Sequence, residues 1–144
     1  MTARTLRAQR IRQGLKLIVF AFGLPACAQT ERVDTPPQIR AFTEENIALC
    51  KDAGGTPTLS EYYLTEVGDL NGDGRPDFVT NLAGLDCAGA WTLFCGSAGC
   101  LVNVWLSGKE EYFVGWGGHA QAWEMRGKEF VVSLHGQLCS PPRV

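Results

Sequence analysis

The stretch LVNVWLSGKEEYFVGWGGHAQAWEMRGKEFVVSLH, residues 101–135, decides the fold. It is rich in Val, Trp, Phe and Leu, residues that fit a pleated, half-buried surface. It reads as strands at 101–106, 112–116, 120–125 and 129–135. Between them lie Ser107-Gly108-Lys109, Gly117-Gly118 and Arg126-Gly127-Lys128. Glycine-bearing clusters of this kind close hairpins, so the segment predicts an antiparallel meander. Successive side chains of a strand point to opposite faces. Val102, Val104 and Leu106 therefore suit the core, with Asn103, Trp105 and Ser107 facing away. In the last strand Phe130, Val132 and Leu134 point in, while Glu129, Val131, Ser133 and His135 point out.

Upstream, residues 59–67, 78–82 and 91–94 carry further strand-like composition. Residues 37–52 read as a helix. Prolines 36 and 37 are tolerated at its start, Ile39, Phe42, Ile47 and Cys50 fall near one face, and Gly54-Gly55 stops it. The expected class is α+β: one N-terminal helix packed on a mostly antiparallel, disulfide-stapled sheet. The chain has 144 residues, a length that suits one domain, placed here at 38–144 after a linker at 29–37.

Residues 1–28 differ from the rest. Arg4, Arg7, Arg10, Arg12 and Lys16 precede the apolar run Leu17–Leu24, which Pro25 and the small-residue stretch Ala26-Cys27-Ala28 follow. A basic segment, a short apolar segment and an A-x-A site form the pattern of a secretory signal peptide. Export to the periplasm or beyond is the expectation, with cleavage after Ala28. The run Leu24–Cys27 also offers Cys27 as a lipid anchor in a lipobox-like setting. Removing 1–28 leaves 15 acidic against 8 basic residues, a net charge of −7. That balance opposes a nucleic-acid partner, which needs a basic patch, and favours cations. No apolar run reaches the roughly 18 residues of a spanning helix.

An exported small domain with five further cysteines calls for disulfides. Cys95 and Cys100 bracket two glycines in a short loop, and Cys50 and Cys87 are natural partners for each other. Cys139 is left over. A rival arrangement would use Cys95, Cys100 and His119 or His135 as zinc ligands, and a catalytic thiol at Cys95 is a further alternative.

The chemistry-bearing motif is Asp69-Leu70-Asn71-Gly72-Asp73-Gly74-Arg75-Pro76-Asp77. Calcium takes roughly six to eight oxygen ligands on a curved backbone. Asp69, Asn71 and Asp73 supply side-chain oxygens at alternate positions, Gly74 permits a sharp turn, Arg75 offers its carbonyl, and Asp77 binds directly or through water. The affinity expected of such an extracellular site is weak, ~10⁻⁴–10⁻³ M. Thr80 stands where an EF-hand carries its bidentate glutamate, and the flanks read as strands. The segment resembles the calcium loop of FG-GAP and related integrin-like repeats, which implies that Asp69, Asn71, Asp73 and Asp77 ligate the ion. The whole mature chain also looks like small exported bacterial proteins of unknown function, a likeness that names no activity. The alternative is an Asp/Asn/Gly turn whose side chains bond their own backbone.

His119 and His135 could each serve as a general base with an acidic partner, and Asp86 beside Cys87 hints at a Cys/His/Asp set. No G-x-S-x-G or H-E-x-x-H run occurs. Trp91, Trp105, Trp116 and Trp123 are candidate core anchors; Trp105, if exposed, could meet a glycan or a protein. Three functions follow. The first is a calcium-stabilised module that binds an envelope protein or glycan, inhibition of an envelope enzyme included. The second is a hydrolase built on His119 or His135. The third is a purely structural envelope module.

Overall fold

A computed structural model describes residues 34–138. The expected leader, Cys27 and Cys139 lie outside the described residues. The described residues form one α-helix, nine strands, all paired antiparallel, and two short 3-10 turns, an α+β arrangement.

Helix α1 spans Pro37–Asp52, with Pro36 at its N-cap and proline again at its first position. The missing N–H of proline costs nothing there, because first-turn donors have no partner inside the helix. Ile39, Asn46 and Cys50 are its buried residues. Thr43 and Asn46 bond back to the carbonyls of Ile39 and Phe42. Thr43 Oγ1 also accepts the Tyr63 hydroxyl at 2.9 Å. Burial of Tyr63 pushes its phenol above the ordinary value, and the Thr43 bond opposes that rise. Gly54, at φ +78°, takes the left-handed turn that ends the helix.

Strand β1 (Thr56–Leu59) pairs with β4 (Leu85–Ala88). The central sheet contains β2 (Leu64–Gly68), β3 (Asp77–Asn81), β5 (Cys95–Gly96), β6 (Gly99–Ser107) and β7 (Tyr112–Ala120). Strands β8 (Ala122–Arg126) and β9 (Glu129–Ser133) form a separate hairpin. The middle strand is β6, which bonds β3 from Val102 to Trp105 and β7 from Cys100 to Ser107.

Four sequence expectations change. The run 59–67 is two strands in two sheets, broken by the turn in which Tyr63 N–H bonds the Ser60 carbonyl. Residues 91–94 are a turn, not a strand. Gly117 and Gly118 close no hairpin, and β7 runs straight through them. They are glycines because space is short: a Cβ at Gly117 would stand 2.5 Å from Asn103 Oδ1, and one at Gly118 3.3 Å from the Trp116 ring. The chain instead leaves the sheet at Gln121, whose N–H bonds the Ser133 carbonyl.

The fourth change concerns Trp105, expected with Asn103 and Ser107 to face away from the core, whereas all three are buried. Trp105 is buried among Ile39 and Phe78, edge-on to Phe42 with ring centroids 5.4 Å apart. Its indole N–H donates to Thr80 Oγ1 at 2.9 Å. Both faces of β6 are therefore covered. Val102 and Val104 pack with Val79 and Ala120 on one side, and Trp105 packs under α1 on the other. A third cluster around Tyr63, Leu82, Leu85 and Phe94 surrounds the bond between Cys50 and Cys87.

Candidate metal centre

The loop 69–76 joins β2 to β3, whose last pair is Gly68 with Asp77. A bulge between Glu66 and Gly68 turns the end of β2, and Gly68, Gly72 and Gly74 adopt φ of +78°, +80° and +83°. Among the described residues no neighbour crowds a Cβ at any of the three, so backbone conformation is what requires glycine there.

The side-chain oxygens of the motif turn toward the loop's own backbone. Asp69 Oδ1 accepts the N–H groups of Gly72 at 2.6 Å and Asp73 at 3.1 Å, and Oδ2 accepts that of Gly74 at 2.9 Å. Asn71 Oδ1 accepts from Asp73 N–H, and Asp73 Oδ1 from Arg75 N–H. Each alternate oxygen thus holds a donor two or more residues ahead, which curls the loop inward.

Asp77 is different. It is completely buried at the first position of β3. Its Oδ2 accepts Leu70 N–H and its Oδ1 accepts Ser107 N–H, both at 2.7 Å. Ser107 is 1% exposed at the last position of β6 and is the focus of the site. Its hydroxyl oxygen lies 2.8 Å from both oxygens of Asp73 and 3.0 Å from Asp77 Oδ1. One hydroxyl proton can satisfy only one of these three carboxylate oxygens. Asn71 Nδ2 adds a bond to the Ser107 carbonyl at 2.7 Å.

Arg75 brings more than its carbonyl. Its Nε lies 3.5 Å from Asp73 Oδ2, and its guanidinium stacks 5.6 Å from the centre of the Tyr112 ring. The Tyr112 hydroxyl donates to the Pro76 carbonyl at 2.9 Å. Desolvation would raise the Asp73 carboxyl. The Arg75 N–H, the Ser107 hydroxyl and the Arg75 guanidinium together outweigh it and hold the carboxyl below the ordinary range. Desolvation raises the Tyr112 phenol, with Arg75 opposing and the Asp77, Asp73 and Glu66 charges adding to the rise.

The structure brings Asp73 and Asp77 together on Ser107, while Asp69 and Asn71 hold the near side of the loop. Among the described residues, no three acidic, histidine or cysteine side chains are grouped so as to cage an ion by themselves. A cation here would therefore draw on the Asn71 oxygen and the Arg75 carbonyl as well as the carboxylates. Ser107 escaped the sequence reading because Asp73 and Asp77 lie 34 and 30 residues before it. No local spacing signals such a contact.

The remaining candidates are dispersed. Cys50 bonds Cys87, tying the end of α1 to β4. Cys95 bonds Cys100 across the β5–β6 pair. These bonds remove the thiolates that zinc or a catalytic thiol would need. His119 lies on β7 opposite Leu101, and His135 Nδ1 accepts the Gln137 N–H at 3.3 Å. Among the described residues, neither histidine is hydrogen-bonded or ion-paired to a carboxylate. Asp86 is exposed on β4.

No protein family, curated protein or solved structure matches the chain.

Proposed function

We propose that this protein is a small exported domain in which Asp69, Asn71, Asp73 and Asp77, with the Arg75 carbonyl, hold one structural calcium ion, and that it serves as a structural module of the cell envelope. The observation that carries the ion is the surplus of acceptors at Ser107: three carboxylate oxygens crowd one hydroxyl within 3.0 Å. A divalent cation relieves that crowding and ties the β2–β3 loop to the end of β6. The likeness of the loop to FG-GAP calcium loops points the same way. Two disulfides suit an oxidising compartment, and the pattern of residues 1–28 supports export. Burial of Trp105 removes the tryptophan offered, if exposed, as a stacking surface, whereas Trp91, read as a core anchor, is 73% exposed.

A metal-free turn is the second reading. Both oxygens of Asp69 are already engaged by backbone N–H groups, an arrangement that holds the loop without an ion.

Thermal unfolding with calcium and with chelator separates the two. At ten to a hundred times the dissociation constant, calcium should stabilise the domain by about 1.5–3 kcal/mol. Melting would then rise by roughly 5–15 °C. Asp73→Ala should abolish that rise and leave the Cys95–Cys100 bond intact. Identical melting in calcium and chelator overturns the ion site and leaves the metal-free turn.

A further inference from the structure

The two disulfides sit in opposite surroundings. Cys50 and Cys87 are 0% and 3% exposed, inside a core cluster. The backbone of Gly55 is packed so closely on them that a Cβ there would collide with Cys87 Sγ. Cys95 and Cys100 are only half-buried. Beside them opens a cavity of about 300 Å³, lined by residues 92–99 and His119. Its wall includes Cys95 but not Cys100. Among the described residues its lining contains no Asp or Glu, although the chain as a whole carries more acids than bases.

We propose that Cys95–Cys100 is a thiol-exchange site at which a small dithiol, entering this cavity, attacks Cys95. Exchange requires a thiolate to reach one sulfur in line with the S–S bond, so access selects both the bond and the sulfur. The acid-free wall does not repel an incoming thiolate, as a carboxylate-lined wall would. In the first step the thiolate forms a bond to Cys95 Sγ. The bond to Cys100 Sγ breaks, and the electron pair leaves on Cys100, which takes up a proton. The second thiol of the dithiol, as thiolate, then displaces Cys95 and closes a cyclic disulfide. Two electrons and two protons pass from the dithiol to the protein, leaving Cys95 and Cys100 as thiols. The small Cys95–Cys100 loop lets this occur without freeing the helix, which the buried bond still ties to β4. The site is independent of the ion-binding loop.

The test uses the full chain with free thiols first blocked by iodoacetamide. Excess 2-mercaptoethanol is added, the reaction is quenched by alkylation, and adducts are located by peptide mass spectrometry. The adduct should form on Cys95 at least about tenfold more than on Cys100, and dithiothreitol should reduce this bond at least about tenfold faster than Cys50–Cys87. Gly96→Trp places bulk on the cavity wall, where a Cβ meets no neighbour among the described residues, and should slow the Cys95 adduct about tenfold. Ser97→Trp, on the same exposed wall, repeats the test should Gly96→Trp alter the circular dichroism. Equal reduction of both disulfides, an adduct chiefly on Cys100, or undiminished reactivity in the folded tryptophan variant overturns the proposal.

Discussion

Replacing Asp77 by asparagine keeps the shape of the side chain and turns one of its two oxygens into an NH2 group. In the native fold those oxygens accept Leu70 N–H on one side and Ser107 N–H on the other, with the Ser107 hydroxyl oxygen 3.0 Å from the latter. Asparagine can serve one side only. If its oxygen stays with Ser107, Leu70 N–H faces an NH2 group with no acceptor. Losing a charge-assisted bond in a completely buried position costs about 1.5–3 kcal/mol, and stranding the donor adds a further 1–3 kcal/mol or so. Together they destabilise the domain by roughly 2.5–6 kcal/mol, a large part of the 5–15 kcal/mol typical of a whole domain. Urea unfolding in chelator measures this free of any ion, and the midpoint should fall by about 2 M at unchanged slope. Asp69→Asn is the control. Its acceptors serve loop N–H groups close to solvent, so the loss should stay near 1 kcal/mol or below. If the two variants unfold within about 1 kcal/mol of each other, Asp77 is not the pin between the loop and β6, and the reasoning fails.

Other perturbations probe the remaining supports. Paired Cys→Ala replacement at Cys50 and Cys87, which close a separation of 37 residues, should cost about 4 kcal/mol against about 2 kcal/mol for Cys95 and Cys100, separated by 5; calorimetric melts showing the reverse order would contradict the assignment of structural weight. Gly99→Ala meets two obstacles, φ of +97° and collision with the Ala120 carbonyl, and should destabilise by about 2–4 kcal/mol in the same urea assay. The folded-state carboxyl of Asp73 lies below its unfolded value. Its contribution is therefore present above the unfolded value and lost as pH falls through the lower folded one. A carbon-detected NMR titration should place its midpoint below that of the denatured chain, and Ser107→Ala should move it upward; a midpoint at or above the denatured value refutes the contacts drawn around it.

The sequence determined what is local. Pro36 and Pro37 start the helix and Gly54 ends it because their backbone restrictions act within a turn. Strand composition and glycine spacing gave an α+β class, because period-two patterning and tight turns are properties of short segments. The curl of residues 69–77 follows from Asp, Asn and Gly at alternate positions, each bonding donors a few residues ahead. Tertiary structure decided the rest, because it depends on contacts between distant segments. Gly117 and Gly118 look like a turn in the sequence, yet they are spacing residues against Asn103 and Trp116. Trp105 alternates as a surface residue but is buried once α1 lies across its face. Ser107 reads as the start of a hairpin turn, and only the pairing of β3 with β6 sets its hydroxyl between Asp73 and Asp77. A carboxylate can be recognised from its neighbours in the chain, but which distant donor it meets is fixed when the strands pair.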